Sequence, residues 1–237
     1  MYNTTKFFDR LNELGITLSD NQIHQFLKYY ELLVEKNKVM NLTAITEFDE
    51  VIEKHFLDSL QIAQYIDLNK EVSIIDVGTG AGFPGLPLKI AFPEIEVVLL
   101  DSLNKRINFL NEVIDELGLE KITALHGRAE DYGKNKEYRE QFDYCVSRAV
   151  ANMSSLSEYC LPFVKVGGSF IPYKSGNIDE ELENAKRAVF LLGGKIEKVE
   201  RFALSDAQRS FVFIKKEQNT AKKYPRKAGL PTKEPLG

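Results

Sequence analysis

The first 66 residues carry apolar side chains at helical spacing and show no alternating pattern typical of a strand. The segment Ser19–Gln22 fits a capping box at a helix start. An apolar stripe follows at three- and four-residue intervals, formed by Ile23, Phe26, Leu27, Tyr30, Leu33 and Val34. After a turn at 41–43, a further helix is predicted to open at Thr46–Asp49. This part of the chain therefore predicts an all-helical unit.

From residue 72 onward, short runs rich in Val, Ile and Leu alternate with amphipathic helical stretches. Predicted strands cover 72–77, 95–101, 121–126, 142–148 and 168–173, and predicted helices follow at 83–92, 103–117, 130–141, 152–163 and 178–191. Two last runs, 195–204 and 210–216, have no helix between them and predict an antiparallel hairpin. Five βα units and a hairpin favour an α/β, Rossmann-like fold whose mostly parallel sheet is covered on both faces.

The first predicted strand runs into a glycine cluster, Gly78-Thr-Gly80-Ala-Gly82-Phe-Pro-Gly85. Strand, glycine turn and helix form the usual nucleotide site of α/β folds, because glycine lets backbone approach a ligand with no Cβ between them. The cluster fits the dinucleotide pattern G-x-G-x-x-G and, equally well, the G-x-G-x-G turn of S-adenosylmethionine (SAM) methyltransferases. Gly78 and Gly80 are therefore predicted to contact a nucleotide, and this turn leaves its identity open.

Polar residues at the next strand ends narrow the choice of nucleotide. In such sheets the ligand lies at the carboxyl ends of the strands. Asp101 ends the second strand, where a carboxylate can accept from both ribose hydroxyls, and Glu130 follows the third, where it can accept from an adenine amino group. Asp101 would serve NAD equally well. The acid after the third strand and the antiparallel last strand favour SAM.

Charge is divided unequally between the body and the tail of the 237-residue chain, which has a net charge of −4. From Lys215 to the end, seven basic and two acidic residues give +5, leaving −9 for the rest. This favours a polyanion such as RNA as a partner of the tail, with a solvated tail as the alternative. The predicted RNA contacts are Lys174, Lys222, Lys223, Arg226 and Lys227. Tyr224 is predicted to stack on a base, and the tail's prolines predict that it orders only on RNA.

Other features of the composition argue against several classes of protein. Cys145 and Cys160 lie in apolar patterns, which indicates reduced core residues of a cytoplasmic protein. The longest apolar runs fall short of 18 residues, so no membrane span is expected. His24 and His126 have no partner at metal-ligand spacing, so no metal site is expected.

The segment after the fourth predicted strand bears on the methyl acceptor. Enzymes that methylate exocyclic amines usually carry Asp/Asn-Pro-Pro-aromatic here, whereas this chain has Ser147-Arg-Ala-Val150. Cytosine-C5 enzymes need a nucleophilic cysteine beside a loop proline, and neither cysteine fits that role. A ring nitrogen such as guanine N7 fits, because its lone pair carries no proton and needs only alignment. No catalytic base is therefore predicted.

Six segments together resemble one known family. They are Asn41–Ile45, His55–Leu60, Asp76–Gly85, Gly127–Glu130, Ser147–Ala149 and Tyr224–Gly229. In this order they resemble the rRNA small subunit methyltransferase G family, also called glucose-inhibited division protein B. The resemblance implies methyl transfer from SAM to N7 of a guanine in the decoding region (530 loop) of 16S rRNA. It also implies SAM contacts at Gly78, Phe83, Ala129, Glu130 and Arg148.

Two other interpretations stay open at this point: an NAD(P)-dependent oxidoreductase, and a non-catalytic RNA- or protein-binding module on a SAM fold. The predicted organisation is a helical cap at 1–66, a SAM-binding domain at 67–216 and a basic tail at 217–237. The expected partner is 16S rRNA or the small ribosomal subunit, and the chain is expected to act as a cytoplasmic monomer.

Overall fold

A computed structural model describes residues 2–148, 150–205 and 207–237 of the chain. Its seven strands are β1 Ser73–Val77, β2 Glu96–Asp101, β3 Ile122–His126, β4 Phe142–Arg148, β5 Val164–Ser175, β6 Gly194–Leu204 and β7 Ala207–Lys216. They form one sheet in the order β3-β2-β1-β4-β5-β7-β6. Strand β7 pairs antiparallel with both β5 and β6, and the other pairings are parallel. The predicted fold class and terminal hairpin are confirmed.

Helices cover both faces of this sheet. They are α1 Thr5–Glu13, α2 Asp20–Met40, α3 Phe48–Val51, α4 Asp58–Leu60, α5 Gly85–Ala91, α6 Asn104–Glu116, α7 Ala129–Tyr132, α8 Met153–Cys160, α9 Asp179–Leu191 and α10 Leu230–Lys233. The capping box is present, with Ser19 accepting from the backbone N–H of Gln22. Among the described residues, every helix is too short or too polar to span a membrane.

The apolar core lies in two layers, one on each face of the sheet. One layer joins the cap to the sheet, and Phe26, Phe56, Leu86 and Leu110 belong to it. The other joins α8 and α9 to the opposite face and includes Tyr224 of the tail. Cap and tail therefore pack as continuations of the sheet's own core.

The predicted helix at 130–141 is wrong for most of its length, because the structure has only the single turn α7. Residues 133–141 form turns instead, with the N–H groups of Tyr138 and Arg139 donating to the carbonyl of Asn135. This stretch is polar and has no apolar stripe to bury, so packing does not stabilise a longer helix.

The helix predicted after residue 46 contains a π-helical segment, Ile52–Leu57, between α3 and α4. A π segment adds one residue to the turn and so rotates everything after it about the helix axis. His55 and Asp58 lie in and after this segment, and both are buried. The segment thus turns two polar side chains toward the protein interior.

Candidate functional site

The glycine loop after β1 requires glycine for conformational reasons. Gly78, Gly80 and Gly82 have φ values of +72°, +65° and +106°, in the region that disfavours other residues. A Cβ on Gly82 would lie 2.7 Å from the hydroxyl of Tyr29 in α2. That hydroxyl donates to the carbonyl of Ala81 at 2.5 Å, so the helical cap holds the loop in place.

Asp76, at the end of β1, fixes the same loop from below. The side chain is fully buried, and its Oδ2 accepts from the Thr79 hydroxyl at 2.7 Å and from the Gly85 N–H at 2.8 Å. Burial raises the pKa of Asp76 to about 7. These contacts make Asp76 a structural brace of the loop.

A first cavity of about 320 Å³ opens at the carboxyl ends of β1, β2 and β3. It is lined by Gly78, Asp101, Ala129 and Glu130, among others, and by two tail residues, Gly229 and Thr232. Four of the seven residues predicted to bind the cofactor therefore meet in one place. The two carboxylates are almost completely buried, with exposed fractions of 3% and 6%.

Asp101 organises this cavity through its hydrogen bonds. Its Oδ2 accepts from the Gly80 N–H at 2.9 Å and from Arg106 at 3.2 Å, and its Oδ1 accepts from the Leu103 N–H at 2.9 Å. Gly80 therefore supports the cavity through Asp101 and is not among its lining residues. A carboxylate offers about four acceptor sites, so Asp101 retains capacity for a ligand hydroxyl.

The tail is ordered against the body, contrary to the expectation that it orders only on RNA. The Arg226 guanidinium is paired with the fully buried Glu158 at 2.7 Å, so it serves an internal contact rather than the predicted RNA contact. Tyr224 is 6% exposed and offers no stacking face. The Gly229 N–H donates to Glu130 Oε1 at 2.8 Å, so the tail helps to build the first cavity. Lys222, Lys223 and Lys227 are exposed.

A second cavity of about 390 Å³ lies at the carboxyl ends of β4 and β5, between the cap and the β6–β7 hairpin. Its charged lining residues are Lys54, Asp58, Arg148, Lys174, Glu181 and Arg209. Arg148 and Lys174 were predicted from the sequence, as a cofactor contact and an RNA contact. Asp58, Glu181 and Arg209 were missed, and only Asp58 lies in a segment that the sequence singled out.

The predicted cofactor contact Phe83 packs under the second cavity, beside His55 and Arg148. The His55 and Phe83 rings stack at 4.5 Å, and the Arg148 guanidinium lies 5.0 Å from the Phe83 ring centre. Burial, with the Arg148 charge, lowers the pKa of His55 to about 4. His55 is therefore neutral near pH 7 and packs against Phe83.

The loop after β4 separates the two cavities. Val150 lines the first cavity, and the carbonyl of Ala151 accepts from Lys174 of the second at 3.1 Å. Ala149, which follows the last residue of β4, lies outside the described residues. In the strand order β4 and β5 follow β1, so the second cavity lies further along the same edge of the sheet from Gly78. The two cavities can therefore serve two reactants.

Two expectations about other chemistry concern the cysteines and metals. Cys145 and Cys160 are both free and buried, in the core positions that were predicted, and burial raises the pKa of the Cys145 thiol. Among the residues that the structure describes, no group of three or more His, Cys, Asp or Glu side chains is arranged to hold a metal ion.

Solved structures with this sheet define the class of protein. TYW2 of M. jannaschii in complex with AdoMet matches with a TM-score of 0.56 and 15% identity, over 73% of this chain and 79% of that chain. A SAM-dependent methyltransferase from Aquifex aeolicus matches with a TM-score of 0.52 and 18% identity, over 70% and 92% of the two chains. The chain has the fold of a SAM-dependent methyltransferase.

Sequence comparison identifies the family within this class. The family model described as "GidB: rRNA small subunit methyltransferase G" matches residues 22–212. Proteins named ribosomal RNA small subunit methyltransferase G from Lachnoclostridium phytofermentans and Clostridium tetani are 54% and 52% identical. The alignments cover 100% and 98% of this chain, and 98% and 99% of the relatives. The chain belongs to the rRNA small subunit methyltransferase G family, as the resemblance predicted, and it is a SAM-dependent enzyme.

Proposed function

We propose that this protein transfers a methyl group from SAM to N7 of a guanine in the decoding region of 16S rRNA. The observation that carries the proposal is the pair of cavities on either side of the loop after β4. One is built for a nucleoside and the other is bordered by cationic side chains. Membership of the rRNA methyltransferase family supports the choice of RNA as the acceptor.

The residues of the first cavity fit SAM. Asp101 and Glu130 are buried acceptors at successive strand ends, suited to ribose hydroxyls and an adenine amino group. Gly78 keeps the adjacent backbone bare, because a Cβ there would lie 2.5 Å from Val150 Cγ2. Ala129 completes this wall, and Phe83 and Arg148 would act nearer to the reactive end. Bound SAM supplies an electrophilic methyl group.

The acceptor side needs alignment more than proton transfer. Guanine N7 carries no proton, so the chain need only hold the base with its lone pair in line with the methyl group. Both oxygens of Asp58 are paired with arginines, at 2.9 Å to Arg148 and 3.0 Å to Arg209. This carboxylate is a positioning group for those arginines rather than a general base.

Exposed cations can hold the rest of the RNA. Lys222, Lys223 and Lys227 remain candidates for phosphate contact, and Arg226 is withdrawn because Glu158 pairs with it. We also infer that one copy suffices and acts where ribosomes are assembled, in the cytoplasm.

Methyl transfer with purified components tests the proposal. Incubation with labelled SAM should label 16S rRNA or small subunits, and transcripts containing 7-deazaguanine should take no label because they lack N7. Asp101→Asn should weaken SAM binding in calorimetry by about tenfold or more, since charged hydrogen bonds contribute about 1.5–3 kcal/mol. Label on 7-deazaguanine transcripts would exclude N7. Tight NADH binding without SAM binding would favour an oxidoreductase.

A further inference from the structure

The second cavity holds a donor and an acceptor side by side. Lys174 Nζ lies 2.6 Å from Glu181 Oε1 and 3.1 Å from the carbonyl of Ala151. The same Oε1 accepts from the Met153 N–H at 2.6 Å. Both of these contacts use Oε1, and no hydrogen bond from the described residues reaches the second oxygen, Oε2, which retains its capacity to accept.

Both side chains are held in place and partly dry. The side chains of Lys174 and Glu181 are 14% and 27% exposed, against 60% and 68% in the surface pair Lys186–Glu183. Arg148 and Arg209, which line the same cavity, are fixed by Asp58. An ordered, partly desolvated pair of this kind can select a ligand by hydrogen bonding. A ligand whose donors and acceptors do not complement the pair would leave a charged group without a hydrogen bond.

The pattern matches one base. The Watson–Crick edge of guanine places the O6 acceptor beside the N1–H and N2–H₂ donors, whereas adenine has an amino donor at C6 and an acceptor at N1. An ammonium group donating to O6 and a carboxylate oxygen accepting from N1–H and N2–H₂ fit guanine alone. Contacts on this edge leave N7 without a protein partner. This is what attack by the N7 lone pair requires.

We propose that the second cavity receives the acceptor guanine, with Lys174 donating to O6 and Glu181 Oε2 accepting from N1–H and N2–H₂. The proposal rests on the proposed guanine-N7 transfer and adds the two residues that select the base. Enzymes that act on an unstacked base commonly select it through this edge. Lys174 thus contacts RNA as the sequence predicted, through a base instead of a phosphate.

An inosine substitution separates base selection from a structural role. Inosine lacks only the N2 amino group, so RNA with inosine in place of the methylated guanosine should lower kcat/KM of the wild-type enzyme about tenfold or more. Glu181→Gln should lower kcat/KM for guanosine and bring the guanosine-to-inosine ratio to within about twofold of one. The amide has a single acceptor oxygen, which the Lys174 ammonium and the Met153 N–H require, so its NH₂ group, a donor, faces the base. Glu180→Gln removes the same charge from the exposed neighbouring residue and should keep the wild-type ratio.

The outcomes of this experiment distinguish base selection by Glu181 from the proposed methyl transfer to guanine N7. If Glu181 only supports Lys174 and Met153, Glu181→Gln lowers both rates together and leaves the ratio unchanged, which would overturn base selection by Glu181. Equal rates of the wild-type enzyme on guanosine and inosine RNA would overturn it as well. In both cases methyl transfer to guanosine RNA persists, so the proposed function stands. Loss of all transfer by the wild-type enzyme would overturn both.

Discussion

Arg226→Gln should detach the C-terminal tail from the first cavity. The guanidinium Nε lies 3.0 Å and 3.1 Å from the two Glu158 oxygens, and Nη2 lies 2.7 Å from Oε2. Nη2 also donates to the Glu234 carbonyl at 2.6 Å. Glu158 is fully buried, so the substitution leaves an uncompensated carboxylate in the core. Breaking a buried pair in this way costs about 3–5 kcal/mol, and the 20% exposure of the Arg226 side chain favours the lower end.

SAM affinity shows whether loss of the Arg226–Glu158 pair disrupts the first cavity. Gly229 would no longer hold Glu130, and Thr232 would leave the cavity wall. If only a tenth of the molecules keep the tail docked, the apparent Kd for SAM rises about tenfold. Calorimetry measures that Kd, and chemical denaturation measures the loss in stability. Lys233→Gln removes the same charge from an exposed tail position and should change neither.

A second substitution makes the prediction sharper. Glu158→Gln added to Arg226→Gln removes the unpaired charge, so the double variant should be more stable than Arg226→Gln alone. Wild-type SAM affinity and stability in Arg226→Gln would refute the anchoring role, and a double variant less stable than the single would refute the electrostatic explanation.

Three further predictions concern acid stability, the cysteines and the tail lysines. Because the pKa of His55 is lowered to about 4, protonation favours the unfolded chain, and stability present above pH 6.5 is lost as pH falls toward 4. Urea unfolding should show wild type losing about 2 kcal/mol more than His55→Gln between pH 7 and pH 5; equal losses would contradict the buried neutral state. Cys145→Ala with Cys160→Ala should retain methyl transfer while losing about 1–3 kcal/mol of stability, and a covalent RNA adduct that this pair of changes abolishes would contradict it. Alanine at three exposed tail lysines should weaken RNA binding and flatten the slope of log K against log salt by about 2, with SAM affinity intact; they are Lys222, Lys223 and Lys227. The matched control is alanine at three exposed lysines near the amino ends of the strands, Lys70, Lys121 and Lys165. An unchanged slope in the tail variant would show that the tail lysines do not contact RNA.

The sheet could be predicted because its central strands are buried on both faces. Strand β2, for example, has five consecutive buried residues, Val97–Asp101, and such runs stand out in a sequence. Once the strands were identified, the glycine loop and the carboxylates at the ends of β2 and β3 could also be placed, because parallel strands bring their carboxyl ends to one edge of the sheet. Asp101, Ala129 and Glu130 therefore meet where the sequence indicated.

Contacts between distant segments could not be predicted. Arg226 counts as a free positive charge in the sequence, yet its partner Glu158 lies 68 residues earlier. The second cavity draws Asp58, Arg148 and Arg209 from the cap, β4 and β7. Asp58 faces that cavity after a π-helical segment, which a 3.6-residue period does not reveal. The charge of the tail therefore predicted that Arg226 contacts RNA, whereas in the structure Arg226 forms an internal ion pair.

Methyl transfer to guanine N7 in 16S rRNA can be tested in cells. The measurement is mass mapping of the modified nucleosides in 16S rRNA from cells with and without this protein. A single 7-methylguanosine in the decoding region should disappear without the protein and return when the wild-type gene is restored. An identical set of modified nucleosides in the two rRNAs would contradict it.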